Sequence, residues 1–110
     1  MIGKSKQQAN QVLDALGSQT RRDILAILRQ GPLPVGSIAE HLPISRPAVS
    51  KHLRILEQAG LVAYNSRGVS NIFYLRPVGF REARGYLEQF WDEALANFER
   101  AASDDGASAA

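Results

Sequence analysis

A mainly α-helical domain carrying one small β-hairpin is the fold the sequence predicts, on three observations. Apolar residues recur at helical spacing in five segments, and residues 61–76 change instead to strand composition. A short helix and a longer, serine-capped helix stand close together immediately before that change. The expected order is helix-helix-helix-helix-strand-strand-helix (α-α-α-α-β-β-α).

The first helix is expected from about Lys6 to Leu16, with Ala9, Val12, Leu13 and Leu16 on one face and Gly17 closing it. Ser18 supplies an N-cap for the second, whose wide apolar stripe of Ile24, Leu25, Ile27 and Leu28 ends at Gly31-Pro32. Pro32 and Pro34 hold the next segment extended. Ile38, Ala39 and Leu42 then mark a short third helix beginning near Val35 or Gly36 and stopped by Pro43. Ser45 is the strongest N-cap in the chain, because Arg46-Pro47 follows in the first helical turn, where proline forfeits no hydrogen bond. The fourth helix therefore runs from about Arg46 to Gln58, and Gly60 ends it.

Leu61-Val62-Ala63-Tyr64 and Ile72-Phe73-Tyr74-Leu75 read as the hairpin strands, with turn chemistry in Asn65-Ser66-Arg67-Gly68. Pro77-Val78-Gly79 breaks the second strand. From Phe80 onward, Ala83, Leu87, Phe90, Trp91, Ala94, Leu95 and Phe98 describe a long final helix. Residues 1–102 are read as one domain with terminal helices at about 6–16 and 79–101, and the polar tail 103–110 as disordered.

Composition narrows the function classes. A chain of 110 residues, 45% apolar and 22% charged, has the balance of one globular domain. No run of the roughly 18 apolar residues of a membrane helix occurs, and the first twenty residues lack a signal peptide's apolar core, so a cytoplasmic location without membrane partners is expected. The absence of cysteine excludes disulfides, thiolate metal sites and thiol nucleophiles. The net charge of +2 conceals an asymmetry: residues 1–76 carry ten Lys/Arg against four Asp/Glu (+6), residues 77–110 three against seven (−4). A basic front and an acidic back suit a front that meets a polyanion.

A short helix, a turn, a longer capped helix and an adjoining hairpin make a winged helix-turn-helix. A recognition helix must bury one side and show the other to the major groove. Residues 46–58 divide accordingly: Ala48, Val49, Leu53, Ile55 and Leu56 are expected inside, and Arg46, Pro47, Ser50, Lys51 and Arg54 outside. Arg46 can reach guanine O6/N7, Ser50 can exchange hydrogen bonds with base edges, and Pro47 can touch a thymine methyl. Lys51, Arg54 and the Ser45 hydroxyl suit phosphates, and Arg67 at the hairpin tip suits the negative minor groove.

The run VGSIAEHLPISRPAVSKHLRILEQAGLV, with ALGSQTRRDILAILRQGPL before it and FYLRP after it, resembles the ArsR-type winged-helix repressors over about residues 8–100. The resemblance implies a homodimer built on the first and last helices, binding to imperfect palindromes, and release of DNA when an effector binds. Departures limit what carries over. Metal-sensing members place Cys-Val-Cys where this chain has Pro34, Val35 and Gly36, none of which can ligate. The final helix has no histidine, and Glu88, Asp92, Glu93 and Glu99 would offer zinc or nickel carboxylates alone. No metal and no cofactor are therefore expected, which points to the cysteine-free, non-metal-sensing branch.

His41 reads as structural or surface, and His52, between the two stripes of the fourth helix, as either a phosphate contact or a packing hydrogen bond. Five of the eight aromatic residues, Phe80, Tyr86, Phe90, Trp91 and Phe98, fall on the final helix, more than one small domain needs. Val12, Leu13 and Leu16 with Leu87, Phe90, Trp91, Ala94 and Phe98 are the expected dimer interface, which would set two recognition helices about 34–36 Å apart. The expected function is a sequence-specific DNA-binding transcriptional regulator, a homodimeric repressor whose effector, small molecule or protein, is unknown. The alternatives are a protein-interaction adaptor and a metal sensor with unusual ligands. No paired acid and base, phosphate loop or activated nucleophile suggests an enzyme.

Overall fold

In a computed structural model that describes the backbone of residues 2–109 and the side chains of residues 6–103, the chain forms five helices and three short strands. They are α1 (Ile2–Leu16), α2 (Gln19–Leu28), β1 (Leu33–Pro34), α3 (Val35–Ala39), α4 (Arg46–Gln58), β2 (Val62–Arg67), β3 (Ser70–Leu75) and α5 (Pro77–Ala109). The predicted caps form as their chemistry dictates. Ser18 Oγ accepts from the Arg21 N–H at 3.3 Å, and Ser45 Oγ from the Ala48 N–H at 3.2 Å.

The core is the set of faces the helical periodicity picked out. Ile24, Leu25 and Leu28 of α2, Ile38 of α3, and Val49, Leu53 and Leu56 of α4 close on Leu61, Val62 and Phe73. Val12 and Ala15 of α1 and Ala83 of α5 seal the cluster from the other side. Ile55 is a correction: expected inside, it is 41% exposed, because the buried spacing of Val49, Leu53 and Leu56 leaves residue 55 on the flank.

The strands form one antiparallel sheet in the order β1-β3-β2, larger than the single hairpin expected. The prolines that hold residues 32–34 extended also align Leu33 with Phe73 and Pro34 with Ile72, so the pair adds as an edge strand. Within the hairpin Arg67 pairs with Ser70, which puts the turn at Gly68-Val69, later than the Asn65-to-Gly68 stretch. Gly68 has φ +60°, the left-handed value that the first central residue of a tight II′ hairpin turn requires.

Both terminal helices exceed their expected limits. α1 starts at Ile2, four residues before the predicted Lys6. α5 begins at Pro77, since the proline that ends β3 suits the first turn of a helix, and its backbone runs helical to Ala109 through the segment read as a disordered tail. Thirty-three residues at 1.5 Å rise give a rod of about 50 Å, which gives the chain extents of 69 × 34 × 20 Å. No helix among the described residues is long and apolar enough to cross a membrane.

Candidate nucleic-acid interface

The helix that carries the candidate contacts is anchored at both ends. At its start Ser45 caps it, and Leu42 and Ile44 of the preceding turn tuck against the core. At its end Gly60, with φ +79°, accepts the left-handed conformation, the Gly60 N–H donates to Glu57 O and the Leu61 N–H to Leu56 O, both at 2.9 Å. This is a Schellman closure with Leu56 and Leu61 buried beneath it. A helix so fixed presents its remaining side as a rigid surface.

That side is the predicted one. Ser45, Arg46, Pro47, Ser50, Lys51 and Arg54 are all exposed, as is Arg67 at the end of β2. The only salt bridge among the described residues joins Arg84 to Glu88 on α5, so no carboxylate there neutralises Arg46, Lys51, Arg54 or Arg67. The Arg46 guanidinium lies over α3, where a Cβ added to Gly36 would meet its Cζ at 3.4 Å.

The hairpin forms the wing. Tyr64 and Phe73 face each other across β2 and β3 with ring centroids 5.2 Å apart, stiffening its base. Nearer the tip the Ser66 hydroxyl donates to Asn71 Oδ1 at 3.0 Å. Beyond it Gly68 and the fully exposed Val69 make the turn, which carries Arg67 clear of the domain.

His52 is half-buried, and Arg21 Nη1 approaches its Nδ1 at 3.4 Å. The same arginine donates through Nε to Ala15 O at 2.8 Å and through Nη2 to Asp14 O at 3.2 Å, and Arg22 Nη1 donates to Leu16 O at 2.6 Å. Two arginines thus cap the C-terminal carbonyls of α1, and one of them also steadies α4. Neither arginine was among the residues expected to matter, although two cations just beyond a helix-ending glycine were the signal. His41 is exposed and its Nδ1–H donates to Ser37 O at 2.9 Å. Among the described residues no three His, Asp or Glu side chains are grouped to hold a metal ion.

The expected dimer residues separate into two groups. Leu87, Phe90, Trp91, Ala94 and Phe98 are exposed, Trp91 at 66% and Phe98 at 70%, and Leu95 lies on the same side of α5. Leu13 and Leu16 are half-buried. Val12 is different: with no exposed surface it belongs to the chain's own core, as does Ala9, because that side of α1 faces the interior. Neither can meet a partner directly.

Residues 18–64, from the cap of α2 into the wing, match the family described as bacterial regulatory protein, arsR family. The chain is 41% identical to the HTH-type transcriptional regulator Rv2034 of Mycobacterium tuberculosis over 92 residues, 84% of this chain and 86% of that protein. It is 35% identical to the transcriptional repressor SdpR of Bacillus subtilis, covering 74% of this chain and 90% of that one. Among solved structures it is similar to an ArsR-like transcriptional regulator from Rhodococcus sp. RHA1, with TM-score 0.74 and 29% identity over 88% of this chain and 94% of the other. It is also similar to the homodimeric winged helix-turn-helix DNA-binding domain of Mb0332 from Mycobacterium bovis, with TM-score 0.62 and 28% identity over 83% and 84%.

Proposed function

The chain belongs to the arsR family of bacterial regulatory proteins, and from that premise we propose that it acts in the cytoplasm as a homodimeric repressor reading a palindromic operator. Its family is one of DNA-binding transcriptional regulators rather than enzymes. The observation that carries the reading is the outward side of α4, where Arg46, Lys51 and Arg54 are exposed and have no carboxylate partner among the described residues. A surface of that kind is complementary to the phosphate and base-edge pattern of a major groove.

Within this reading Arg46, Pro47 and Ser50 contact bases, while Ser45, Lys51 and Arg54 contact phosphates. Arg67 enters the minor groove, and His52 orients α4 through Arg21. Leu13, Leu16, Leu87, Phe90, Trp91, Ala94 and Phe98 form the dimer surface, a role supported by the exposed aromatic side of α5 and by the homodimeric relative. An effector, small molecule or protein, would act by changing the spacing of the two reading helices.

Sedimentation of the protein alone and with a palindromic duplex tests the proposal. Two protomers in the free state and two per duplex are expected. A monomer, or binding that ignores the palindrome, refutes it.

A further inference from the structure

The C-terminus of a helix leaves carbonyl groups without intrahelical partners, and how they are satisfied determines what the helix is tied to. Just past the end of α4 the carbonyls of its C-cap residue Ala59 and of Gly60 are taken by two different elements. Gln8 of α1 donates through Nε2 to Ala59 O at 2.7 Å across 51 residues of sequence. Gly79 in the first turn of α5 donates its backbone N–H to Gly60 O at 2.9 Å. The two backbones touch there: a Cβ placed on Gly79 would lie 2.7 Å from Gly60 O and 2.8 Å from Ala59 O. A third bond, from the Arg76 N–H to Leu61 O at 2.9 Å, continues the seam into the segment before α5.

The bonded partners are the helices on which the dimer reading rests. The Gly79 N–H, left open by the start of α5, meets the carbonyl of Gly60, the left-handed residue that closes α4, so the junction is made by backbone atoms on both sides. Gln8 adds the only side chain of α1 that hydrogen-bonds α4 among the described residues. The outer face of α4 therefore has a fixed orientation relative to α1 and α5, not only to the core.

We propose that Gln8 is a positioning residue for DNA recognition: by holding Ala59 O, with Gly79 against Gly60, it locks the recognition helix to the dimer helices and sets the half-site spacing that the dimer accepts. The proposal rests on the homodimeric reading above. Gln8 touches no DNA, so its effect appears in tolerance to spacing rather than in the bases read.

The test uses the full-length protein and the palindromic duplex recovered from a random pool, together with versions carrying one or two base pairs inserted between the half-sites. Two base pairs turn one half-site about 70° around the duplex, so a rigid dimer loses contact with it. The wild type is expected to bind the inserted duplexes at least tenfold more weakly. Gln8→Leu removes the donor while keeping the bulk, and is expected to bind the parent duplex up to about tenfold more weakly, with a smaller further loss on the inserted duplexes than the wild type shows. Gln8→Lys restores a donor and places a cation at a helix C-terminus, and should recover the sharp preference.

Sedimentation and circular dichroism accompany each variant. An equal loss on all duplexes by a folded, dimeric Gln8→Leu protein, or no loss at all, overturns the positioning role. Failure of Gln8→Lys to restore the preference overturns it as well, and does so even if Gln8→Leu folds poorly. A monomeric wild type overturns the dimer reading itself and is distinguished by its mass before any DNA is added.

Discussion

Replacing Gly79 with alanine should destabilise the protein, whereas the same change six residues on should stabilise it. The difference comes from the seam between α4 and α5. An alanine Cβ at position 79 would sit 2.7 Å from Gly60 O and 2.8 Å from Ala59 O, where relaxed C···O contacts begin at about 3.3 Å. Both obstacles are backbone atoms, so the first turn of α5 must retreat by about half an ångström. That stretches the 2.9 Å bond from the Gly79 N–H to Gly60 O to the edge of hydrogen-bonding distance, a loss of about 0.5–1.5 kcal/mol. Overpacking adds about 1–3 kcal/mol, and the better helix propensity of alanine returns up to about 1 kcal/mol. With the full return the net cost is about 0.5–3.5 kcal/mol, a fall in Tm of about 2–25 °C for a domain of this size. Gly85, also on α5, is exposed and a Cβ added there would meet nothing within 4 Å, so Gly85→Ala should gain about 0.5–1 kcal/mol. Thermal unfolding at one fixed protein concentration reads both changes, since dimerisation makes Tm concentration-dependent. Equal shifts for the two variants, or a Gly79→Ala protein as stable as wild type, would refute the seam.

Three further outcomes are expected. Arg46→Ala should cost about 1–3 kcal/mol on operator DNA and relax specificity at one position, whereas Lys51→Ala should weaken all sequences alike and reduce the salt slope by about 1; fluorescence titrations at several salt concentrations compare them, and identical behaviour removes the assignment of base and phosphate roles. Ser45→Ala, which deletes the acceptor for the Ala48 N–H, should lower stability by about 1 kcal/mol in urea unfolding, and an unchanged midpoint would contradict the cap. Trp91→Asp, at a site 66% exposed in the single chain, should leave the fold intact by circular dichroism while converting dimer to monomer in sedimentation; an unchanged mass would exclude Trp91 from the interface.

What could be read from the sequence follows how local its cause is. The caps at Ser18 and Ser45 depend on residues three positions away, and α2 and α4 lie where those caps placed them. The hairpin was legible from its strand formers, but its turn fell later, because a left-handed glycine rather than a polar cluster determines where two strands reverse. Strand β1 was missed because two residues make no periodicity; only the partner strand β3, some forty positions away, reveals them as a strand. Likewise α1 could be recognised as amphipathic without showing which apolar residues point into its own chain, so Val12 and Leu13 looked equivalent until α5 was packed beside them. The exposed candidates of α4 emerged together because one helix carries them all. Gln8, Gly60 and Gly79 did not, since three separate elements meet at that point and no spacing within any of them announces it.

Whether α4 and the wing read sequence is decided by selecting bound duplexes from a random DNA pool, at two salt concentrations. The expected product is a palindromic motif whose half-sites lie about one helical turn apart and whose sequence persists as salt weakens overall affinity. Salt-sensitive binding that yields no motif would contradict dimeric operator recognition, leaving α4 and the wing an electrostatic surface without sequence readout.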